Sequence, residues 1–171
     1  DETGVSRLSP YLRHGMIATT RLAREAAAQS GKGPDKFLDE LLIWREMSWA
    51  YAFHTPDHDT PDAVVPGWAR ESLERRRLDA RPALYSWETL ARAHTDDGLW
   101  NAAQAAYLRR GYLHNNLRMT WGKALLTWTD GPAEAGARLL DLNNRYALDG
   151  GDPNSYQGLF WCLGAFDRPF E

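Results

Sequence analysis

The 171-residue chain is expected to be all-α, a single domain of about eight helices. Three observations point there. Apolar residues recur at three- and four-residue spacing, helix starts and stops are marked by Ser-Pro, Asp-Pro and Gly, and no segment shows the alternation of a strand. The length suits one domain, residues 1–171, with a real core.

The first helix is expected to open at Ser9-Pro10, with Ser9 as N-cap and proline at the first helical position, and to stop at Gly15. A second covers about 18–29 and ends at the GKGP loop. Pro34 then starts a long helix, PDKFLDELLIWREMSWAYAFHT, whose buried stripe is Phe37, Leu38, Leu41, Leu42 and Trp49. PDHDTPDAVVPG is too rich in proline and aspartate for regular structure. Helices follow at 68–79, 87–93 and 99–110, the last closed by Gly111. YLHNNLRMTWGKALLTW (112–128) is next. GPAEAGARLLDLNNRY is helical from Pro132, and a last helix starts at Asp152-Pro153, cap followed by proline. There is no internal repeat and no low-complexity tract.

Composition narrows the partners. A net charge of −3 gives no global basic field for nucleic acid. Arginine clusters at Arg75, Arg76, Arg77 and Arg81, and at Arg109 and Arg110, suit phosphates; they equally suit the solvated faces of an arginine-rich chain. The single cysteine, Cys162, has no partner for an internal disulfide, which points to a reducing, cytoplasmic setting. No stretch approaches the ~20 apolar residues of a membrane span, and nothing at the start resembles a signal peptide. DETGVSRLSP reads as a cut or a linker and DRPFE as an abrupt stop, so a fragment or mature product of something longer is expected. Eight tryptophans are several times the usual number.

One stretch raises a chemical question. DLNNRYALDGGDPNSYQGLFW (141–161) packs three asparagines, three aspartates and three glycines between two helical segments. It is either a turn or one wall of a polar ligand site. In the preceding helix, Asn115, Arg118, Trp121 or Gly122, Leu125 and Trp128 share a face. That face begins polar and ends aromatic, whereas a structural helix buries apolar residues throughout. Arg118 either meets a planar or anionic ligand or pairs with Asp141 or Asp149. Ser6 and Ser9 flank a helix start, a ready anion site or merely a cap. Glu46 and Trp49, three apart, suit a nucleobase, or Glu46 pairs with Arg45 or Arg13. Trp100, Asn101 and Gln104 within one turn hint at a cavity, or at surface amides. No metal site is expected: His54 and His58 with Asp57 and Asp59 fall in a proline-broken loop.

Taken together, SRLSPYLRHG, FLDELLIWRE, DGLWNAAQAAYLRRGYLHNNLRMTWGKALLTW and LNNRYALDGGDPNSYQGLFW resemble, in order and rough spacing, the helical FAD-binding domain of the photolyase and cryptochrome superfamily. The wording is most similar to class II cyclobutane pyrimidine dimer photolyases, over residues 6–166. The resemblance implies an all-helical bowl holding a bent FAD. Ser6, Leu8 and Ser9 would bind the diphosphate, and Arg118 would stabilise the anionic reduced isoalloxazine. Asp149 and Asp152 would hydrogen-bond the ring and sugar, Asn143 would face flavin N5, and Asn115 would add a contact. Trp121, Trp100 and Trp128 would relay electrons, with Trp121 nearest the flavin. Glu46, Trp49 and Trp161 would contact a pyrimidine dimer flipped out of UV-damaged DNA, split by an electron from light-excited reduced FAD. Trp49 is placed by helical proximity, not by the motif. The resemblance implies no membrane, and a monomer or part of a longer chain lacking its α/β antenna domain. Two other readings stay open: a flavin photoreceptor of cryptochrome type without repair, and a flavin-free helical DNA-binding or scaffold relative.

Overall fold

The helix starts predicted from proline are realised along most of the chain. A computed structural model describes residues 4–169; residues 1–3 and 170–171, which belong to the expected domain and to its DETGVSRLSP and DRPFE ends, lie outside the described residues. Among the described residues there are eleven α-helical segments and no strand. They run α1 (Ser9–Arg13), α2 (Thr19–Ala27), α3 (Lys32–Asp39), a π-helical turn (Glu40–Trp44), α4 (Arg45–His54), α5 (Pro61–Val64), α6 (Gly67–Arg75), α7 (Trp87–Ala91), α8 (Gly98–Arg110), α9 (Asn115–Trp128), α10 (Pro132–Tyr146) and α11 (Pro153–Trp161).

Local chemistry explains the boundaries that match. Gly111 closes α8 in the left-handed conformation, φ 63°. Asp152 caps α11 by accepting from the Asn154 N–H, ahead of Pro153. Pro132 occupies the first turn of α10.

Other boundaries differ. Leu8, not Ser9, holds the cap position of α1, and Ser9 is already helical. GKGP is not a loop: α3 begins at Lys32 after Gly31 (φ 114°), and Pro34 sits in the first turn, where its missing N–H costs nothing. Within the proline-rich stretch after His54, Pro61–Val64 forms one helical turn because Val64 and Val65 are drawn into the core. Gly136 lets α10 approach it; a Cβ there would meet Pro61 Cγ at 2.7 Å.

The largest departure is in the long helix. The π turn adds a residue to the helical ladder and rotates α4 relative to α3. Leu41, Arg45 and Ser48 therefore face inward, while Leu42 and Trp49 are 48% and 46% exposed. Of the predicted stripe, Leu41 is buried, Phe37 and Leu38 are half-buried, and Leu42 and Trp49 are turned outward.

Among the described residues two apolar clusters hold the helices. The larger joins α7 to α11 through Leu90, Trp100, Tyr107, Trp121, Leu125 and Leu139. The smaller lies under α5 and α6 around Val64, Phe160 and Leu163. Gly122 lets α9, α10 and α11 meet closely: a Cβ there would lie 2.8 Å from Cys162 Sγ and 3.1 Å from Leu139 Cδ1. No described helix is long and apolar enough to cross a membrane.

Candidate functional site

The polar-to-aromatic face of α9 is the backbone of the site. Arg118, Trp121, Gly122, Leu125 and Trp128 are all buried, as their spacing requires, while Asn115 remains exposed at the helix start. Arg118 Nη2 donates to Asp149 Oδ1 at 2.8 Å and Nη1 to Ser155 Oγ at 3.4 Å. Asn143 Nδ2 donates to the same Ser155 Oγ at 3.0 Å. Four side chains from α9, α10, α11 and the α10–α11 turn thus form one network. Of Arg118's two sequence-suggested partners, Asp149 is the one it takes; Asp141 receives Arg145 and the indole N–H of Trp87.

The 147–152 turn explains why that stretch is so rich in short polar residues. A Cβ on Gly150 would stand 2.9 Å from Asn144 Cα. Gly151, at φ 76°, donates its N–H to Asn144 Oδ1 at 3.1 Å. Arg13 of α1 donates to the Gly150 carbonyl at 3.2 Å, tying the turn to the N-terminal segment. The stretch is both turn and wall.

Three buried polar atoms of this region have no hydrogen-bond partner among the described residues: Arg118 Nε, Asn143 Oδ1 and the Tyr107 hydroxyl. Buried polar groups are normally satisfied, so the open Arg118 donor and the open Asn143 acceptor together fit a planar polar ligand. Burial alone would lower the Arg118 proton affinity, but the facing Asp149 carboxylate outweighs it, and the guanidinium stays charged. A buried cation with a free donor suits an anionic ring system.

Asp152 faces a different way. Its carboxylate takes both Arg45 nitrogens, at 3.0 and 3.1 Å, in a buried fork between α4 and α11. Arg45 is thereby lost to Glu46, as Arg13 is to the Gly150 carbonyl. Glu46 is exposed on α4, and Trp49 lies beneath the Arg45 guanidinium at 5.4 Å. Trp161 packs on Trp44 at 5.5 Å rather than on Trp49. Beside this fork, a hollow of about 10 Å³, room for one water, is lined by Ser48, His58, Tyr156 and Gln157.

Behind Arg118 runs an aromatic stack. Trp100 and Trp121 are nearly parallel, 8° apart with centroids at 6.1 Å. Trp128 meets Trp100 edge-on at 5.5 Å. Spacing on α9 puts Trp121 and Trp128 on one side, and the fold inserts Trp100 between them. Trp100 Nε1 donates to the Trp121 carbonyl at 3.0 Å, and Trp121 Nε1 to Gln104 Oε1 at 3.1 Å. The amides expected to rim a cavity are used structurally instead: Gln104 also holds the Ala91 carbonyl, and Asn101 holds Thr95.

Ser6 is exposed and Leu8 and Ser9 half-buried at the start of α1. The surface arginines behave as solvated faces where pairs form: Arg76 with Asp79, Arg77 with Glu74. No cluster of three or more His, Cys, Asp or Glu side chains gathers among the described residues. Sequence reasoning missed Ser155, Arg45 and Tyr107. Ser155, three residues after the Asp152 cap, carried a usable signal; Tyr107 and Arg45 did not.

No family model matches the chain. It is similar to curated proteins named deoxyribodipyrimidine photo-lyase. The protein from Methanothermobacter thermautotrophicus is 42% identical over 164 residues, 96% of this chain and 36% of the relative. That from Arabidopsis thaliana is 40% identical over 171 residues, covering 98% and 34%. That from Potorous tridactylus is 36% identical over 166 residues, covering 95% and 31%. The chain spans about a third of the length of the curated relatives it matches.

Proposed function

We propose that this chain, which belongs to the photolyase and cryptochrome superfamily, is the electron-delivering half of a flavin site in a light-driven lyase that repairs cyclobutane pyrimidine dimers in DNA. The observation that carries the reading is Arg118: a buried, charged guanidinium paired with Asp149, one nitrogen still free, standing one helical turn from a tryptophan stack.

FAD, when bound and reduced, supplies the photoexcited electron. Arg118 would hold the anionic ring by charge, with Asp149 fixing the guanidinium and Asn143 offering its free Oδ1 to the proton on N5. Asp152 would contribute a lone pair while its fork with Arg45 keeps α4 against α11. Ser6, Leu8 and Ser9 at the start of α1, joined to the site through Arg13, would take the diphosphate, and exposed Asn115 would add a rim contact. Trp128, Trp100 and Trp121 would pass electrons inward to the cofactor, in that order. Exposed Glu46 and Trp49, with half-buried Trp161, would meet the flipped dimer. UV-damaged DNA is the partner, and the unpaired Cys162 supports a cytoplasmic setting; the chain acts as a monomer or as part of a longer chain.

The test is an absorption spectrum of the protein purified with FAD, followed by blue-light assays on ultraviolet-treated DNA. A flavin spectrum and loss of dimers in the light are expected. A colourless protein that takes up no FAD overturns the reading.

A further inference from the structure

Tyr107 belongs to none of the roles above, yet it touches both ends of the site. It lies on α8 and is 1% exposed. Its ring stands edge-on to Trp121, centroids 5.2 Å apart at 72°. The Arg118 Cζ lies 5.8 Å from the centroid of the same ring. Arg118 and Trp121 are three residues apart on α9, so one side chain from the neighbouring helix fixes the cation and the first indole together. Trp121 is in turn almost parallel to Trp100, and electron exchange between two rings depends on that alignment.

The hydroxyl points to a second property. It is buried without a partner among the described residues, and burial raises its pKa above that of an ordinary phenol. A phenol gives up an electron readily only when an acceptor takes its proton, and no acceptor is hydrogen-bonded here.

We propose, on the flavin reading above, that Tyr107 is a positioning residue of the electron relay: its ring braces Trp121 on Trp100 and seats Arg118, while its hydroxyl stays out of the redox chemistry. Trp121 gives one electron to the illuminated flavin, and Trp100 replaces it. Both transfers are of an electron alone: Trp121 returns to neutral, Trp100 is left one electron short, and the phenolic proton stays on Tyr107.

Three variants of the full chain test this: Tyr107→Phe, Tyr107→Met and Tyr107→Leu. Near-UV circular dichroism of the flavin-free chain reads the paired indoles, and far-UV dichroism reads helicity. Photoreduction of the flavin-loaded chain reads the relay. Tyr107→Met and Tyr107→Leu are expected to lose most of the near-UV signal at unchanged helicity and to slow photoreduction about tenfold. Tyr107→Phe is expected to rescue both, at no loss of melting temperature. Should Tyr107→Leu unfold, Tyr107→Met decides. The proposal is overturned if Tyr107→Met keeps both signals, which makes the ring a filler. It is equally overturned if Tyr107→Phe keeps the dichroism but loses photoreduction, which makes the phenol a carrier. A chain that takes up no flavin sinks the parent reading alone, because the dichroism still decides the bracing.

Discussion

Arg118 Nη2 and Asp149 Oδ1 meet at 2.8 Å, with only 10% and 14% of their side chains in contact with water. Removing one member of such a pair leaves an uncompensated buried charge, which costs about 3–5 kcal/mol. Asp149→Asn is therefore expected to lower stability by about 3 kcal/mol in urea unfolding and to abolish flavin uptake. A stable variant that still binds FAD would mean the guanidinium reaches water by another route.

Asp152 does two jobs, so its substitutions should rank. Asp152→Asn keeps an acceptor for the α11 cap but loses the charged fork to Arg45. Asp152→Ala loses the cap as well, worth about 1 kcal/mol more. Urea midpoints are expected in the order wild type, Asn, Ala. Equal midpoints for the two variants would remove the capping role.

Trp100 lies between Trp121 and Trp128, touching each. Trp100→Phe is expected to stop flavin photoreduction as completely as Trp121→Phe, and Trp128→Phe to slow it. Time-resolved absorption under blue light measures all three. Photoreduction that survives Trp100→Phe would show that Trp128 reaches Trp121 without it.

Gly122 is forced to be small by Cys162 and Leu139. Gly122→Ala is expected to cost about 1–3 kcal/mol by overpacking. Cys162→Ala should recover part of that loss when combined with it, a coupling that a double-mutant cycle in urea reads directly. Strictly additive costs would mean the helices relax apart instead.

Burial pushes the Cys162 thiol from 9.0 up to about 11. The folded chain therefore holds the thiol proton more tightly than the unfolded chain does. This contribution, on the order of 2 kcal/mol, is complete below about pH 9 and is lost as pH rises through about 11. Tyr107 is raised in the same direction. Melting temperature is expected to fall over this range, and less steeply in Cys162→Ala. An identical slope in the variant would assign the loss to other groups.

Much of the fold is legible from local chemistry. Pro132, the Asp152-Pro153 pair and Gly111 mark boundaries correctly because a cap or a first-turn proline acts within a few residues of itself. The face of α9 is equally legible, since spacing alone aligns Arg118, Trp121, Leu125 and Trp128. The π turn at Glu40–Trp44 is not. Its single extra residue leaves no mark in three- and four-residue spacing, and Leu42 and Trp49 face outward against their pattern.

Residue order by itself determined a helical domain, an aromatic-rich face on α9 and a polar turn after α10, because those features are written at three- and four-residue range. Tertiary structure alone decided that Arg45 locks onto Asp152 across 107 positions, that Trp100 enters between two tryptophans of another helix, and that Ser155 joins Arg118 to Asn143. Those contacts join residues far apart along the chain. Their partners are selected by which helices pack and by which buried polar groups must find one another, and spacing along one helix carries no record of either.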